Sequence, residues 1–295
     1  MRMRNRVFAA VVAAVTAAVA GVAGCDAVGG DEPSPTGSRS RAVRPAPVWD
    51  RSPDSIVAVG DSITRGFDAC GILSDCPEAS WATGSREDVD SLAVRLLGRA
   101  RAAERSWNYA RSGARMADVP GQVARAVRRS PELVTVMAGA NDACRDSPQE
   151  MTPVSAFRAS FEEAMRTLRG ALPRAQVYVA SVPDLKRLWS QGRTNVLGKQ
   201  VWKLGICPSM LADADALDAA ADRRRTTVQK RVEDYNAVLR EVCGRDERCR
   251  FDGGAVYAYR FGTGQLSQWD WFHPSVDGQA RLAEIAYRTV TARES

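Results

Sequence analysis

Ser55-Ile56-Val57-Ala58-Val59-Gly60-Asp61-Ser62-Ile63-Thr64 is the stretch that decides the fold. An apolar, β-branched run stops at a glycine and passes into Asp and Ser. It reads as a strand buried on both faces that turns into a helix start. Two later runs repeat the design. Leu133-Val134-Thr135-Val136-Met137-Ala138 ends at Gly139, and Gln176-Val177-Tyr178-Val179-Ala180-Ser181-Val182 ends at Pro183. Trp107-Asn108-Tyr109-Ala110 is a weaker fourth strand before Gly113, and a fifth is expected within 255–259. Helical patterns lie at 88–103, 118–129, 154–172, 226–242 and 276–289. Strand–helix alternation at this spacing predicts an α/β fold, a three-layer α/β/α sandwich on a mainly parallel, doubly wound sheet of flavodoxin-like type. Ligand sites in such sheets lie at the carboxyl ends of the strands.

Residues 184–225 break the rhythm. The stretch carries Trp189, Trp202, Leu204, Ile206, Met210 and Leu211, too apolar for a solvated loop. It is expected to be an insertion packed over the active-site side of the domain.

The amino-terminal part reads as an address. Arg2, Arg4 and Arg6 precede an Ala/Val-rich stretch from Val7 to Ala20, and Val22-Ala23-Gly24-Cys25 follows. The layout resembles a bacterial lipoprotein signal over 1–24, with Cys25 as the lipidated residue, rather than a plain secretory leader or a retained span. Residues 25–52 are rich in Gly, Pro and Ser, with Trp49 the sole aromatic, and read as a tether. The domain is then expected over 53–295. An extracytoplasmic, lipid-anchored or secreted protein is implied. Six cysteines remain, and an even number in an exported chain implies disulfides. Cys70–Cys76 and Cys243–Cys249 are close in sequence, which leaves Cys144 with Cys207.

Composition removes several classes. The 295 residues carry 41 Lys and Arg against 35 Asp and Glu, a formal charge of +6. Arg2, Arg4 and Arg6 leave with the leader, and no basic run suggests a nucleic-acid footprint. The Arg223-Arg224-Arg225 run reads as a solvated helix start. There is one histidine, His273. Metal sites built on several histidines are excluded, and no metal or other cofactor is expected. The elbow GxSxG does not occur, which disfavours an α/β-hydrolase.

Four short blocks stand in order at strand ends: Gly60-Asp61-Ser62, Asn108-Tyr109-Ala110-Arg111-Ser112-Gly113-Ala114, Gly139-Ala140-Asn141-Asp142, and Asp270-Trp271-Phe272-His273-Pro274. Singly each is ordinary loop chemistry: a helix cap, a turn, a loop histidine. As an ordered set they resemble the SGNH (GDSL-type) serine hydrolases, whose namesake Ser, Gly, Asn and His match Ser62, Gly113, Asn141 and His273. Ile63-Thr64 departs mildly from the commoner Leu-Ser. The resemblance implies the fold of that family and an esterase or lipase activity. Residue chemistry suggests the roles. Ser62 is the nucleophile, His273 the base and Asp270 the group that orients it. The oxyanion hole would be the Ser62 and Gly113 N–H groups and the Asn141 amide. Asp61 is expected to support the loop, and Trp269, Trp271 and Phe272 to be wall and packing. The implied partner is an ester substrate, lipid or acylated small molecule or glycan, met by a monomer at a membrane surface. Polysaccharide O-deacetylation and a non-catalytic binding lipoprotein are the rival readings.

Overall fold

Five parallel strands form one sheet in the order β2-β1-β3-β4-β5. They are β1 (Ile56–Gly60), β2 (Ser106–Asn108), β3 (Leu133–Met137), β4 (Gln176–Val179) and β5 (Cys249–Phe251). The structure, a computed structural model, describes residues 49–293. The expected signal at 1–24, the lipidation site Cys25 and the tether up to 48 lie outside the described residues.

The register runs straight through the apolar stretches: Ile56 pairs with Leu133, and Val134 with Val177. All five residues of β1 and of β3 are buried. The chain leaves β1 toward β2, then reverses and runs β3, β4, β5. Right-handed crossovers therefore put the two directions of travel on opposite faces. α4 (Val119–Ala126), α6 (Val154–Ala171) and α10 (Ala219–Gly244) pack together on one side. α2 (Leu92–Leu97) and α12 (Val276–Thr291) meet on the other, with α3 (Arg99–Arg105) beside α2. This is the expected three-layer α/β sandwich. The order reverses between β1 and β3, where their carboxyl ends leave a crevice. Two one-turn helices start there, α1 (Ser62–Arg65) and α5 (Ala140–Ala143).

Five sequence expectations are corrected. The fifth strand is Cys249–Phe251, not 255–259. A three-residue edge strand with Arg at its centre has no apolar run to announce it. Residues Ala255–Ala258 are instead a helical turn, α11, after Gly254. Asp252 holds that turn by accepting from the Gly254, Val256 and Ser181 N–H groups and the Ser181 hydroxyl. The pattern at 88–103 begins only after the Ser91 cap and is cut at Gly98. α10 starts at Ala219, seven residues early, because Asp218 caps the Ala220 and Ala221 N–H groups. Arg225 is consequently buried rather than solvated. It donates to the Ala216 and Asp213 carbonyls and lies 4.0 Å over the Trp189 ring. Finally, Trp49 belongs to the domain. Its indole is buried and donates to the Val290 carbonyl at 2.8 Å.

The insertion folds as α7 (Leu185–Gly192), α8 (Val196–Trp202) and α9 (Pro208–Leu211). Trp189 and Trp202 point inward, and the Trp202 indole donates to the Asp270 carbonyl at 2.7 Å. The cysteines pair as expected: Cys70–Cys76, Cys144–Cys207 and Cys243–Cys249. The second pins the insertion to the loop after Asn141.

Candidate active site

Gly60 ends β1 with φ 146, and a Cβ there would fall 2.0 Å from the Met137 carbonyl oxygen. Only glycine fits so close a backbone approach. Gln122 from α4 clamps the same residue from both sides: the Gly60 N–H donates to Oε1 at 2.7 Å, and Nε2 donates to the Gly60 carbonyl at 2.9 Å. Asp61 then caps α1, its Oδ1 accepting from the Ile63 N–H at 3.0 Å. The result is a sharp strand-to-helix turn with Ser62 at its apex.

The Ser62 hydroxyl lies 2.9 Å from His273 Nε2, although 211 positions separate them. His273 Nδ1 is 2.5 Å from Asp270 Oδ2. Asp270 Oδ1 accepts from the Phe272 and His273 N–H groups, both at 2.9 Å. The Asp-Trp-Phe-His stretch thus folds into a turn around its own carboxylate, which fixes the ring from below. Phe67 and Phe272 meet the imidazole edge-on, with centroids at 5.1 and 5.4 Å.

The loops after β2 and β3 are laced together. Asn141 Nδ2 donates to the Ala114 carbonyl at 3.0 Å, and Asp142 Oδ2 accepts from the Met116 N–H at 2.8 Å. Gly113 has φ 77, and a Cβ there would meet nothing within 4 Å. The glycine answers a left-handed backbone rather than crowding by the protein. The Ser62 and Gly113 N–H groups have no hydrogen-bond partner among the described residues.

Ser62, Gly113, Asn141 and His273 all line one cavity of about 210 Å³. Its remaining walls are mostly apolar, from Ile63, Phe67, Leu185, Leu188, Ile206 and Phe261. The structure therefore brings together Ser62, Gly113, Asn141 and His273 at one cavity, with Asp270 behind the His273 ring. Trp269 and Trp271 lie outside this cavity, along a separate groove.

Charge is concentrated under the site. Burial alone would lower the His273 imidazole, but the charge and hydrogen bond of Asp270, with the charges of Asp68 and Asp61, hold it above 6.5. Burial works against the Asp270 carboxylate too. The His273 charge and the hydrogen bonds it accepts outweigh that and keep it below its ordinary range. Burial pushes Asp61 up to about 7 and also raises Asp142. Such an array can deprotonate a serine hydroxyl and stabilise the cation that results.

Sequence reasoning missed three contributors. Gln122 sits on an amphipathic helix, Phe67 in a loop, and Asp68 in the same loop among other acids. None carries a local signal, because their partners are strands or turns remote in the chain.

The GDSL-like lipase/acylhydrolase family model matches residues 56–286. No match is found among curated proteins. Among solved structures, the chain is similar to an acetylxylan esterase from Geobacillus stearothermophilus, a catalytic mutant, at 16% identity. That match covers 82% of this chain and 97% of the other, with a TM-score of 0.49. An extracellular lipase from Streptomyces rimosus is 17% identical, over 81% of this chain and 99% of that one, TM-score 0.44. A phospholipase A1 from Streptomyces albidoflavus is 20% identical over the same shares, TM-score 0.45.

Proposed function

The chain belongs to the GDSL-like lipase/acylhydrolase family, and on that premise we propose that it is a serine-dependent carboxylic ester hydrolase acting through an acyl-Ser62 intermediate. The observation that carries the proposal is convergence. The Ser62–His273–Asp270 chain of hydrogen bonds ends in the same cavity that Gly113 and Asn141 line.

The steps follow from the geometry. Ser62 Oγ attacks the ester carbonyl carbon as its proton passes to His273 Nε2. The negative charge moves to the carbonyl oxygen. The unpaired Ser62 and Gly113 N–H groups and the Asn141 amide stand ready to donate to it, each such donor being worth about 2.7–4 kcal/mol of barrier. Asn141 spends one N–H on Ala114, which holds the amide in place. The imidazolium returns its proton to the leaving alkoxide, so the alcohol departs and acyl-Ser62 remains. Water then attacks the acyl carbon, gives a proton to His273, and the acid leaves as Ser62 is re-protonated. Asp270 keeps the Nδ1 proton in place throughout.

The cavity supports a limit on the acyl group. A cavity of about 210 Å³ beside Ser62 has room for a short acyl chain. The apolar walls suit a hydrocarbon. Trp189 and Trp202 are buried, so the insertion presents neither as a sugar-stacking face. These features support an acyl-directed esterase over a polysaccharide deacetylase. Three disulfides support an extracytoplasmic location. Trp49 and Asp50 join the domain beside Gln176, the first residue of β4, at the end of the sheet opposite Ser62.

Hydrolysis of p-nitrophenyl esters from acetate to palmitate, with Ser62→Ala alongside, tests the proposal. Turnover that requires Ser62 and peaks at short to medium chains is expected. Turnover of acetate alone would favour deacetylation. No Ser62-dependent turnover at any length would refute the hydrolase reading.

A further inference from the structure

Asp68 is buried, 1% exposed, and neither carboxyl oxygen has a hydrogen-bond partner among the described residues. A buried carboxyl left in that state calls for an explanation. Its surroundings offer one. An oxygen of Asp68, an oxygen of Asp270 and a ring nitrogen of His273 lie within 4.8 Å of one another.

The backbone holds Asp68 there against its preference. Its φ is 57, a left-handed conformation that Asp tolerates better than most residues but does not favour. Ser267 is the fastener. Its hydroxyl donates to the Asp68 carbonyl at 2.6 Å. Its own N–H donates to the His273 carbonyl at 2.8 Å, and its carbonyl accepts from the Trp271 N–H at 2.8 Å. One residue therefore ties the turn bearing Asp68 to the turn bearing Asp270 and His273. From the other side the Asp68 N–H donates to the Ser74 carbonyl, inside the loop closed by Cys70–Cys76. Strain over-determined in this way is typical of functional positions.

Resting on the hydrolase reading above, we propose that Asp68 is a positioning residue of the charge relay, its carboxylate standing beside that of Asp270 against the His273 imidazolium. The chemical steps are unchanged: the Ser62 proton goes to Nε2 and returns to the leaving group. Asp68 gives and takes no proton and touches no substrate. Its negative charge makes the imidazolium more stable and keeps the ring against Asp270. The charged groups facing His273 are Asp270 from its own turn, Asp61 from the end of β1, and Asp68. Phe67 and Phe272 supply uncharged edges. Burial, then the Asp270 charge, pushes Asp68 up to about 6, with the His273 charge working the other way.

His273 is the only histidine in the sequence, so its ring resonance can be followed by NMR without ambiguity. The purified protein is compared with Asp68→Asn and Asp68→Gly, since both residues accept the left-handed backbone. Removing the charge should lower the His273 midpoint by about one pH unit in both variants. The acid limb of kcat/KM on p-nitrophenyl butyrate should move down by the same amount. The plateau kcat should fall about tenfold with KM nearly unchanged. Folded variants whose His273 midpoint matches the parent protein would overturn the proposal, whatever their melting temperatures. The titration needs no substrate and so is independent of turnover. Wild-type protein without Ser62-dependent hydrolysis would take down the hydrolase reading, and the relay role with it, even if the midpoint moves.

Discussion

If the proposed hydrolase reading holds, replacing Asp270 by Asn should abolish turnover for a reason that can be read from its hydrogen bonds. Oδ1 accepts from two backbone N–H groups, those of Phe272 and His273. In the variant the amide oxygen must keep that place, because an NH2 group there would face two donors. The NH2 group is then presented to His273 Nδ1, where the carboxylate Oδ2 stood at 2.5 Å. It can only donate. Nδ1 must therefore be the bare nitrogen, and the proton moves to Nε2, 2.9 Å from Ser62 Oγ. A ring in that tautomer cannot take the serine proton, and the charge opposite the imidazolium is gone as well. A wrong-tautomer substitution of this kind costs about 10⁴ in kcat, which is about 5.4 kcal/mol of barrier. Steady-state kinetics on p-nitrophenyl butyrate give the rates, and ¹⁵N spectra of the single histidine give the tautomer. An Asn variant within about tenfold of wild type, or one carrying its proton on Nδ1, would refute the reasoning.

Because Asp270, Asp68 and Asp61 together outweigh burial, the acid limb of kcat/KM should have its midpoint above 6.5, activity being lost below it as His273 protonates; a midpoint below 6.5 would contradict the site's electrostatics. Removing Cys144–Cys207, which spans 63 positions, should destabilise the domain by about 4 kcal/mol on the loop-entropy estimate, against about 2 for either six-residue link. Urea denaturation of the three double Cys→Ala variants checks the order, and KM for butyrate should rise only in the first, since Ile206 and Cys207 line the cavity. Asp61 is raised from 3.8 to about 7 by burial, so the folded protein binds the extra proton and stability falls as pH rises through that window. Asp61→Asn keeps the helix cap without the charge. Its melting temperature should exceed that of wild type by a margin that grows from pH 4 to pH 8, and a margin independent of pH would refute the assignment.

Much of this could be read along the chain, and the parts that could share a property. β1, β3 and β4 are continuous apolar runs, so their burial is written into a few neighbouring residues. Two of the four blocks directly follow β1 and β3, and a doubly wound sheet delivers strand ends to one crevice whatever the loops do. The two short disulfides are equally local. The failures also share a property. β5 is an edge strand of three residues whose pairing, not its composition, makes it a strand. Trp49 follows a Pro-rich segment and looks like tether until Val290 accepts its indole N–H. Arg225 looks solvated until the early start of α10 turns it onto Trp189.

The sequence by itself determined the α/β class, the order of the four motif blocks and the presence of a single histidine in the last of them. These follow from residue types and from periodicities that act over a few positions. The tertiary structure alone decided that Gln122 clamps Gly60, that the insertion lines the pocket beside Ser62, and that Asp68 stands against Asp270 and His273. Asp68 meets Ser267 across 199 positions. Contacts at that range are set by how whole layers pack, and no local pattern in the chain encodes the meeting.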